Sequence, residues 1–265
     1  MSGFGLRALA FCGAAAALSG AASAHDWWSL EAFDLTAGGG AVMRPTYLGS
    51  DRYRASLLPL LSVKWNDTIS FGPDGMRLYW HNDRLTLGGG LTFDGGRNEK
   101  DRNFFAFGSG DERLKGLGKI DASIGYQLFA SYRLWRINLD AAAIKYDGDQ
   151  NKGVVVRAGA ALPLRLTERL TITPHAGATW GNDAYTRTYF GVSATQALQS
   201  RFTRFDAASG VESASAGLRL QYAFDKHWFV MADATGALLL GDAKKSPISF
   251  ANSATTVATA IGYHF

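Results

Sequence analysis

A strict alternation of apolar and polar or small residues constrains this chain more than any other feature of its sequence. In residues 120–134 every second residue is apolar, and the residues between them are polar or small except for Phe129. Residues 170–180 and 213–224 repeat the pattern. Successive side chains of a β-strand point to opposite faces of the sheet, so each segment is predicted to be a strand with one apolar face.

Strand length and strand ends indicate that this apolar face contacts lipid. The alternating segments are about 10 to 15 residues long, whereas strands of soluble sheets average about 5 to 6 residues. Aromatic residues collect at the predicted strand ends, as in the interfacial girdles of membrane barrels. They are Trp65, Trp80, Tyr132, Trp135, Trp180, Tyr222 and Trp228. The terminal residues Val257, Ile261, Tyr263 and Phe265 share one face, an ending typical of the insertion signal of bacterial outer-membrane barrels.

A sheet in lipid must close on itself, because every backbone N–H and C=O in hydrocarbon needs an internal partner. We therefore predict an all-β fold, a transmembrane antiparallel β-barrel of the bacterial outer membrane. Small residues on its inner face, such as glycines 38–40, 88–90 and 159, would let the barrel curve. The expected location is the outer membrane of a Gram-negative cell envelope.

The lengths of the connections set the number of strands. Bacterial barrels have an even number of strands, short periplasmic turns and longer outer loops. Short connections at 66–67, 81–83, 134–136, 166–168 and 225–227 should face the periplasm, and long ones at 47–54, 95–117, 147–152, 181–209 and 241–254 should face outward. This requires a short hairpin that turns at Gly72-Pro73-Asp74-Gly75. It also puts residues 185–193 in an outer loop, although residues 189–192 are strand-like in composition.

The prediction is twelve strands, with ten as the main alternative. The expected strands are 32–46, 54–65, 67–72, 76–81, 84–94, 118–133, 136–147, 153–164, 169–180, 210–224, 228–240 and 254–265.

Residues 1–24 have the features of a cleaved signal peptide. Arg7 precedes an apolar stretch at 8–18, and Ala22-Ser23-Ala24 is an A-x-A cleavage signal. We expect the mature protein to be a single barrel domain of residues 25–265 that begins at His25. The only cysteine, Cys12, would leave with the signal peptide, which excludes disulfides and zinc–thiolate sites.

Composition excludes several other classes of protein. Hydrophobic residues make up 47% of the chain and charged residues 19%, which is too apolar for a disordered chain. The net charge of +4 is small and is not concentrated in a basic patch, so nucleic acid is not an expected partner. The largest charge cluster, residues 97–115, mixes both signs and is predicted to be a solvated loop.

The sequence contains no recognisable catalytic or metal motif. Neither G-x-S-x-G nor H-E-x-x-H occurs. Residues 147–151 begin like a calcium loop, but Lys152 and Ala158 replace the required glycine and glutamate. We therefore predict a non-enzymatic protein without catalytic, cofactor or metal residues. The alternative is an embedded hydrolase that uses His175 in the lumen or one of the histidines near the periplasmic rim, which are His25, His81, His227 and His264.

Three arginines are predicted to face the lumen, namely Arg133, Arg157 and Arg219. They would either make a narrow pore favour anions or pair with the inward acids Asp121, Asp140 and Asp233 and help to fill the barrel.

Several short motifs in a fixed order resemble the MipA/OmpV family over nearly all of the mature chain. They are Tyr47-Leu48-Gly49-Ser50-Asp51 with Leu57-Leu58-Pro59, Asp94-Gly95-Gly96-Arg97 with residues 114–118, residues 185–197, Gly241-Asp242-Ala243 with Ser246-Pro247-Ile248, and Gly262-Tyr263-His264-Phe265.

The resemblance implies an outer-membrane scaffold that bridges a murein lytic transglycosylase and a bifunctional penicillin-binding protein during cell-wall assembly. Other members are described as permeability proteins, adhesins or surface antigens, so a narrow pore or a surface antigen is the alternative. The resemblance provides no partner-binding residues. Further expected partners are outer-membrane lipid, lipopolysaccharide and, during insertion, the barrel-assembly machinery.

Most of these motifs fall in predicted outer loops, whereas a murein scaffold must meet its partners in the periplasm. The difficulty disappears if the loops fold into the barrel mouth, where Tyr189 and Phe190 would fill the lumen. The periplasmic contact surface would then be the short turns together with residues 25–28. Trp27 and Trp28 can also be anchors of the aromatic girdle.

Overall fold

The computed structural model describes residues 33–100, 108–148 and 153–265, and these residues form a closed antiparallel β-barrel. Successive wall strands pair with each other, and β1 pairs with β15 to complete the cylinder. The wall strands are β1 (Phe33–Pro45), β2 (Tyr53–Trp65), β3 (Ile69–Gly72), β4 (Gly75–His81), β5 (Leu85–Asp94), β8 (Ser123–Leu134), β9 (Ile137–Tyr146), β10 (Val154–Ala161) continued by β11 (Leu164–Arg165), β12 (Leu170–Gly181), β13 (Gly210–Ala223), β14 (Trp228–Leu239) and β15 (Ser253–His264).

The wall has twelve strands, which confirms the predicted number and removes the alternative of ten. The two-residue strand β11 continues β10 beyond Leu162 and Pro163, and both pieces pair with β12. Two further short strands, β6 (Arg97–Asn98) and β7 (Ser109–Gly110), pair in parallel within the long β5–β8 connection. The end of the barrel with the short turns is called the periplasmic end below, and the other is the outer end.

One predicted strand begins too early. Residues 118–122 do not join β8; instead Ile120 exchanges two backbone hydrogen bonds with Arg97 at 2.7 and 2.9 Å, and its side chain is buried among loop residues. Its place in the alternating pattern of residues 120–134 therefore did not make it lipid-facing. Local alternation does not reveal where a strand leaves the wall to follow a loop.

The outward face of the wall is an apolar belt. Large side chains at alternate wall positions are exposed, among them Leu128 at 72%, Trp80 at 59% and Ile124 at 54%. Of the seven aromatic residues predicted at strand ends, six are exposed and Trp65 is half-buried against Phe33, with stacked rings 6.2 Å apart. A barrel with this belt buries its outward face only in lipid, as expected of an outer-membrane protein.

Inward glycines allow neighbouring backbones to approach each other closely. A Cβ atom at Gly38 would lie 2.1 Å from the carbonyl oxygen of Ile261, and one at Gly40 would lie 2.4 Å from that of Thr259. No side chain fits at either position, so the tight curvature of the wall between β1 and β15 depends on glycine there.

The short hairpin of β3 and β4 ends well below the outer end of its neighbours. Strand β3 pairs only with residues 63–65 of β2, so in the described part of the chain residues 53–62 of β2 have a strand partner on one side alone, namely β1. Pro59 lies on this stretch, and proline is tolerated in strands that have a free edge. Arg54 ties the edge to the β5–β8 loop, because its Nη2 donates to the carbonyl oxygen of Gly108 at 2.8 Å.

Besides β6 and β7, the outer loops contain short helices. They are a 3₁₀ helix (Glu112–Leu114), α1 (Asp183–Phe190), α2 (Ala194–Gln199) and α3 (Gly241–Lys245). The Asn182 side chain caps α1, and Ser193 with Gln196 forms a capping box on α2. Residues 185–193 lie in the outer loop as predicted, but the strand-like residues up to Phe190 are helical. None of the described helices is long and apolar enough to cross a membrane.

We expect a charge in the middle of the belt to destabilise the barrel. Replacement of Leu128 by Arg puts a guanidinium near the bilayer midplane, which should lower the free energy of unfolding by about 2–4 kcal/mol. Urea unfolding of the protein folded in lipid vesicles, followed by tryptophan fluorescence, measures the change. Leu198→Arg is the matched control, because Leu198 is 89% exposed on α2 outside the wall. Equal destabilisation by both variants would contradict the assignment of the belt.

Candidate functional site

Four of the outer loops pack together and close the outer end of the lumen. Side chains from the β1–β2, β5–β8, β12–β13 and β14–β15 loops join inward side chains of β9, β10 and β14 in one buried cluster, here called the cap. Its members are Leu48, Ile120, Ile144, Tyr146, Val155, Tyr185, Tyr189, Phe190, Ala207, Leu239 and Ala243. Tyr185 and Phe190 are fully buried, and the rings of Tyr185 and Tyr189 lie 4.7 Å apart. The prediction that Tyr189 and Phe190 fill the barrel mouth is therefore confirmed.

A buried cation, Arg97, joins two of the outer loops, and Tyr189 links them to the wall. Its Nη1 donates to the carbonyl oxygen of Tyr189 at 2.6 Å, and the Tyr189 hydroxyl donates to the Asp94 carboxylate at the end of β5. Burial lowers the pKa of Arg97 to about 10, so the guanidinium stays charged at neutral pH. Burial and the neighbouring Asp94 raise the pKa of Tyr189, so its hydroxyl remains a donor.

Further hydrogen bonds connect the motifs that are far apart in the sequence. The Tyr47 hydroxyl donates to the carbonyl oxygen of Ile248 at 2.9 Å, and the Ser246 hydroxyl donates to that of Phe190 at 2.5 Å. The Gln196 amide donates to the carbonyl oxygen of Leu117 at 2.6 Å. The loop motifs of the family resemblance therefore meet in one structure, and their role there is to build the cap.

An ion-pair cluster joins the β1–β2 loop to the β5–β8 loop. Asp111 is fully buried and accepts hydrogen bonds from the Thr46 hydroxyl at 2.8 Å and from Arg113 Nη2 at 3.0 Å. Burial opposes ionisation of Asp111, but the hydrogen bonds from Arg113 and Thr46 outweigh it and lower its pKa. The prediction of a solvated loop over residues 97–115 is therefore wrong at Arg97 and Asp111. In the sequence, only the family motifs at residues 94–97 and 114–118, which overlap the two ends of this segment, singled it out.

Described residues line two cavities in the lumen below the cap. The mid-lumen cavity has a volume of about 270 Å³, and its charged or titratable lining residues are Asp74, Arg77, Asp140, Arg157, His175 and Arg219. The lower cavity has a volume of about 310 Å³ and extends to the periplasmic turns, where Asp225, His227 and His264 line it. Asp74 and Arg77 line both cavities and form an ion pair at 3.2 Å, so this pair marks the place where the cavities meet.

The predicted lumen arginines have three different environments. Arg219 pairs with Asp233 at 3.1 Å, and His175 lies 3.2 Å from the same carboxylate, which confirms one of the expected pairs. Arg157 lines the mid-lumen cavity, whereas Arg133 is exposed at the periplasmic end of β8.

Two of the predicted inward acids do not pair with these arginines. Asp121 is exposed outside the wall strands and forms an ion pair with Lys119, so its predicted lumen position is wrong. Asp140 does face the lumen, where it lines the mid-lumen cavity. Which lumen charges pair depends on the register of neighbouring strands, which puts Arg219 directly opposite Asp233 but Arg157 only diagonal to Asp140.

The histidines that the structure describes lie where the turn assignment predicted them. His81, His227 and His264 are near the periplasmic end, and His175 is inside the barrel. In the ranges 33–100, 108–148 and 153–265, no serine or threonine hydroxyl hydrogen-bonds to His175, and no three potential metal ligands cluster. His25, residues 26–28 and residues 149–152 of the calcium-like loop lie outside the described residues.

Comparison with known proteins gives one family match. A family model described as "MltA-interacting protein MipA" matches residues 37–265. No curated protein matches the chain.

Several solved barrels resemble the chain at low sequence identity. A NanC porin is 10% identical with a TM-score of 0.43, and the match covers 86% of this chain and 98% of the porin. OmpT of Vibrio cholerae with loop L8 deleted is 8% identical with a TM-score of 0.38 over 88% and 99% of the two chains. OmpF of Salmonella typhi in complex with daunomycin is 10% identical with a TM-score of 0.39 over 88% and 97%. The assignment to the outer membrane rests on the closed wall and its lipid-facing belt.

We expect the cap to limit ion flow through the barrel. Replacement of both Tyr185 and Phe190 by Ala removes two fully buried rings, and truncation of one buried phenylalanine typically costs about 3–5 kcal/mol of packing free energy. The double variant should therefore show clearly higher single-channel conductance in planar lipid bilayers than the unchanged protein. Leu198→Ala, on an exposed position of the same loop, should not. Equal conductance of the unchanged protein and the double variant would mean that the cap does not seal the lumen.

Proposed function

The chain belongs to the MipA family, because the family match spans residues 37–265, and on this premise we propose that it is a non-enzymatic outer-membrane scaffold that binds a murein lytic transglycosylase from the periplasm. The name of the family, MltA-interacting protein, supports the choice of partner. We further propose that the mature protein starts at His25 and that residues 25–265 form one barrel domain.

The closed outer end is the observation that most strongly supports this proposal. The cap buries the central part of the loop motifs, including Tyr185, Tyr189 and Phe190, whereas residues 193–195 remain exposed on the outer surface. At the other end, the lower cavity and the five short turns face the periplasm. A protein with this asymmetry offers its accessible features to periplasmic partners, where the murein lies.

The short turns provide exposed apolar side chains for such a contact. Trp135 in the β8–β9 turn is 82% exposed, and the guanidinium of Arg136 lies 5.3 Å from its ring centre. Leu166 in the turn after β11 is 58% exposed. Aromatic residues and arginine are enriched in protein interfaces, so the β8–β9 turn is the best starting point for mapping the partner. An anchoring role of Trp135 at the membrane surface is the competing explanation.

The finer role, a bridge between the transglycosylase and a bifunctional penicillin-binding protein, follows from the family resemblance alone. A narrow pore is the second candidate function, because the two lumen cavities meet at Asp74 and Arg77 and together extend from the middle of the lumen to the periplasmic turns. A surface-antigen role would use the exposed outer surface of the loops, such as α2.

Site-specific cross-linking in intact cells tests the scaffold. The only cysteine is Cys12 in the predicted signal peptide, so single cysteines can be introduced at Trp135, Leu166 or Leu198 without a competing thiol. With a thiol-reactive cross-linker, Trp135→Cys and Leu166→Cys should capture the transglycosylase, identified by mass spectrometry. Leu198→Cys on the outer surface is the matched control and should not.

Capture from the outer position alone, or from none of the three, would count against the periplasmic scaffold.

The bridge is tested in cells without the transglycosylase, where the penicillin-binding protein should no longer be recovered with the barrel. Deletion of residues 25–30 separates the contribution of the N-terminal segment from that of the turns: undiminished capture would assign binding to the turns.

A further inference from the structure

Among the residues that the structure describes, one cation and one anion that line the mid-lumen cavity have no ion-pair partner. The other charges that face it are paired, Arg77 with Asp74 at 3.2 Å and Arg219 with Asp233 at 3.1 Å. Nη1 of Arg157 is buried but has no hydrogen-bond partner among the residues that the structure describes. A buried charged donor of this kind is unfavourable unless a ligand or water satisfies it.

The unpaired anion is Asp140 on β9, the strand adjacent to that of Arg157. Asp140 lies opposite Gly159, and Arg157 lies opposite Ala142, so the two charges are diagonal neighbours on the lumen face. Within the described ranges the Asp140 carboxylate forms neither an ion pair nor a hydrogen bond, although Arg77 and Asp74 contribute to its electrostatic surroundings. Gly159 provides the space for the carboxylate, because a Cβ there would lie 2.8 Å from Asp140 Oδ1.

We propose that this cavity binds a small zwitterionic solute, a free amino acid or short peptide, with its carboxylate on Arg157 and its ammonium group on Asp140. The planar guanidinium suits a carboxylate, and the Asp140 oxygens accept hydrogen bonds from an ammonium group. Phe129 provides an apolar wall, with the Arg77 guanidinium 4.8 Å from its ring centre. The volume of about 270 Å³ is just below the range of about 300–1,000 Å³ that is typical of ligand pockets, which favours a small solute.

The solute enters from the periplasm, because the cap closes the other end and the lower cavity meets the mid-lumen cavity at Asp74 and Arg77. The site is independent of the proposed scaffold role. It can be measured on the purified barrel without any partner protein, so failure of one proposal leaves the other in place.

Titration calorimetry of the folded barrel in detergent, with three dipeptide probes, tests the site. The probes are alanyl-alanine, N-acetylalanyl-alanine, which lacks the ammonium charge, and alanyl-alanine amide, which lacks the carboxylate. The unchanged protein should bind the zwitterion about tenfold or more tightly than either blocked form, since each blocked form loses one charge-assisted contact.

Two variants assign the two ends of the ligand. Arg157→Gln should weaken binding of alanyl-alanine by about tenfold or more and remove the preference over the amide. Asp140→Asn should abolish the preference for alanyl-alanine over the acetylated probe. The same variant should keep the preference for alanyl-alanine over the amide. Arg133→Gln is the matched control, because Arg133 is an exposed arginine that does not line the cavity. Heat-modifiable mobility on gels confirms that each variant folds. If Arg157→Gln does not fold, Arg157→Lys replaces it in the binding measurements.

No binding of alanyl-alanine at millimolar concentration would overturn the proposal. So would binding that Arg157→Gln and Asp140→Asn leave unchanged, or equal binding of all three probes. Binding of the acetylated probe as tightly as alanyl-alanine would show that the site recognises anions rather than zwitterions and would also overturn it.

Discussion

The need to pair every backbone N–H and C=O inside the membrane is the constraint on which the rest of the structure depends. Because hydrocarbon supplies no hydrogen-bond partner, the strands must close into a cylinder, and the chain does so by pairing β1 with β15. Closure requires a tilted, tightly curved wall, and the inward glycines of β1 accommodate it where a side chain would meet the opposing backbone. The free edge of β2 above the short hairpin is the exception, and there Arg54 and the β5–β8 loop contact the strand.

Closure of the wall creates a lumen, and the chain fills its two ends differently. At the outer end, apolar side chains from the loops pack against the inner face of β9, β10 and β14, and Arg97 connects this packing to the backbone of α1. A buried guanidinium is costly unless it is hydrogen-bonded, so the contact between Arg97 and Tyr189 helps to specify one arrangement of the loops. Below the cap, small inward residues leave cavities that contain charged side chains and reach the periplasm.

This asymmetry connects the structure with its proposed functions. The loop motifs of the family lie on the outer side of the membrane, away from the murein, and several of their residues, Tyr185, Tyr189 and Phe190 among them, are structural elements of the cap. What is left accessible from the periplasm is the set of short turns and the lower cavity. A protein partner and a small solute would use different parts of this face, the turns and the lumen respectively, so the two proposed roles do not exclude each other.

The sequence by itself determined most of the strands, their lipid-facing sides and the places of the loops, because alternation and turn chemistry are local properties. It reduced the strand number to twelve or ten, and the structure decided for twelve. The sequence did not determine the cap, since contacts such as that between Tyr47 and Ile248 join residues 201 positions apart. For the same reason it did not show that α1 is a helix, that Ile120 leaves β8, or that Arg97 and Asp111 are buried. The pairing of Arg219 with Asp233, and the absence of such a pair for Arg157 and Asp140 in the described part of the chain, depend on strand register and tilt. Arg219 lies directly opposite Asp233 in the β13–β14 pair, whereas Arg157 is diagonal to Asp140 in the β9–β10 pair, and only the tertiary structure gives that register.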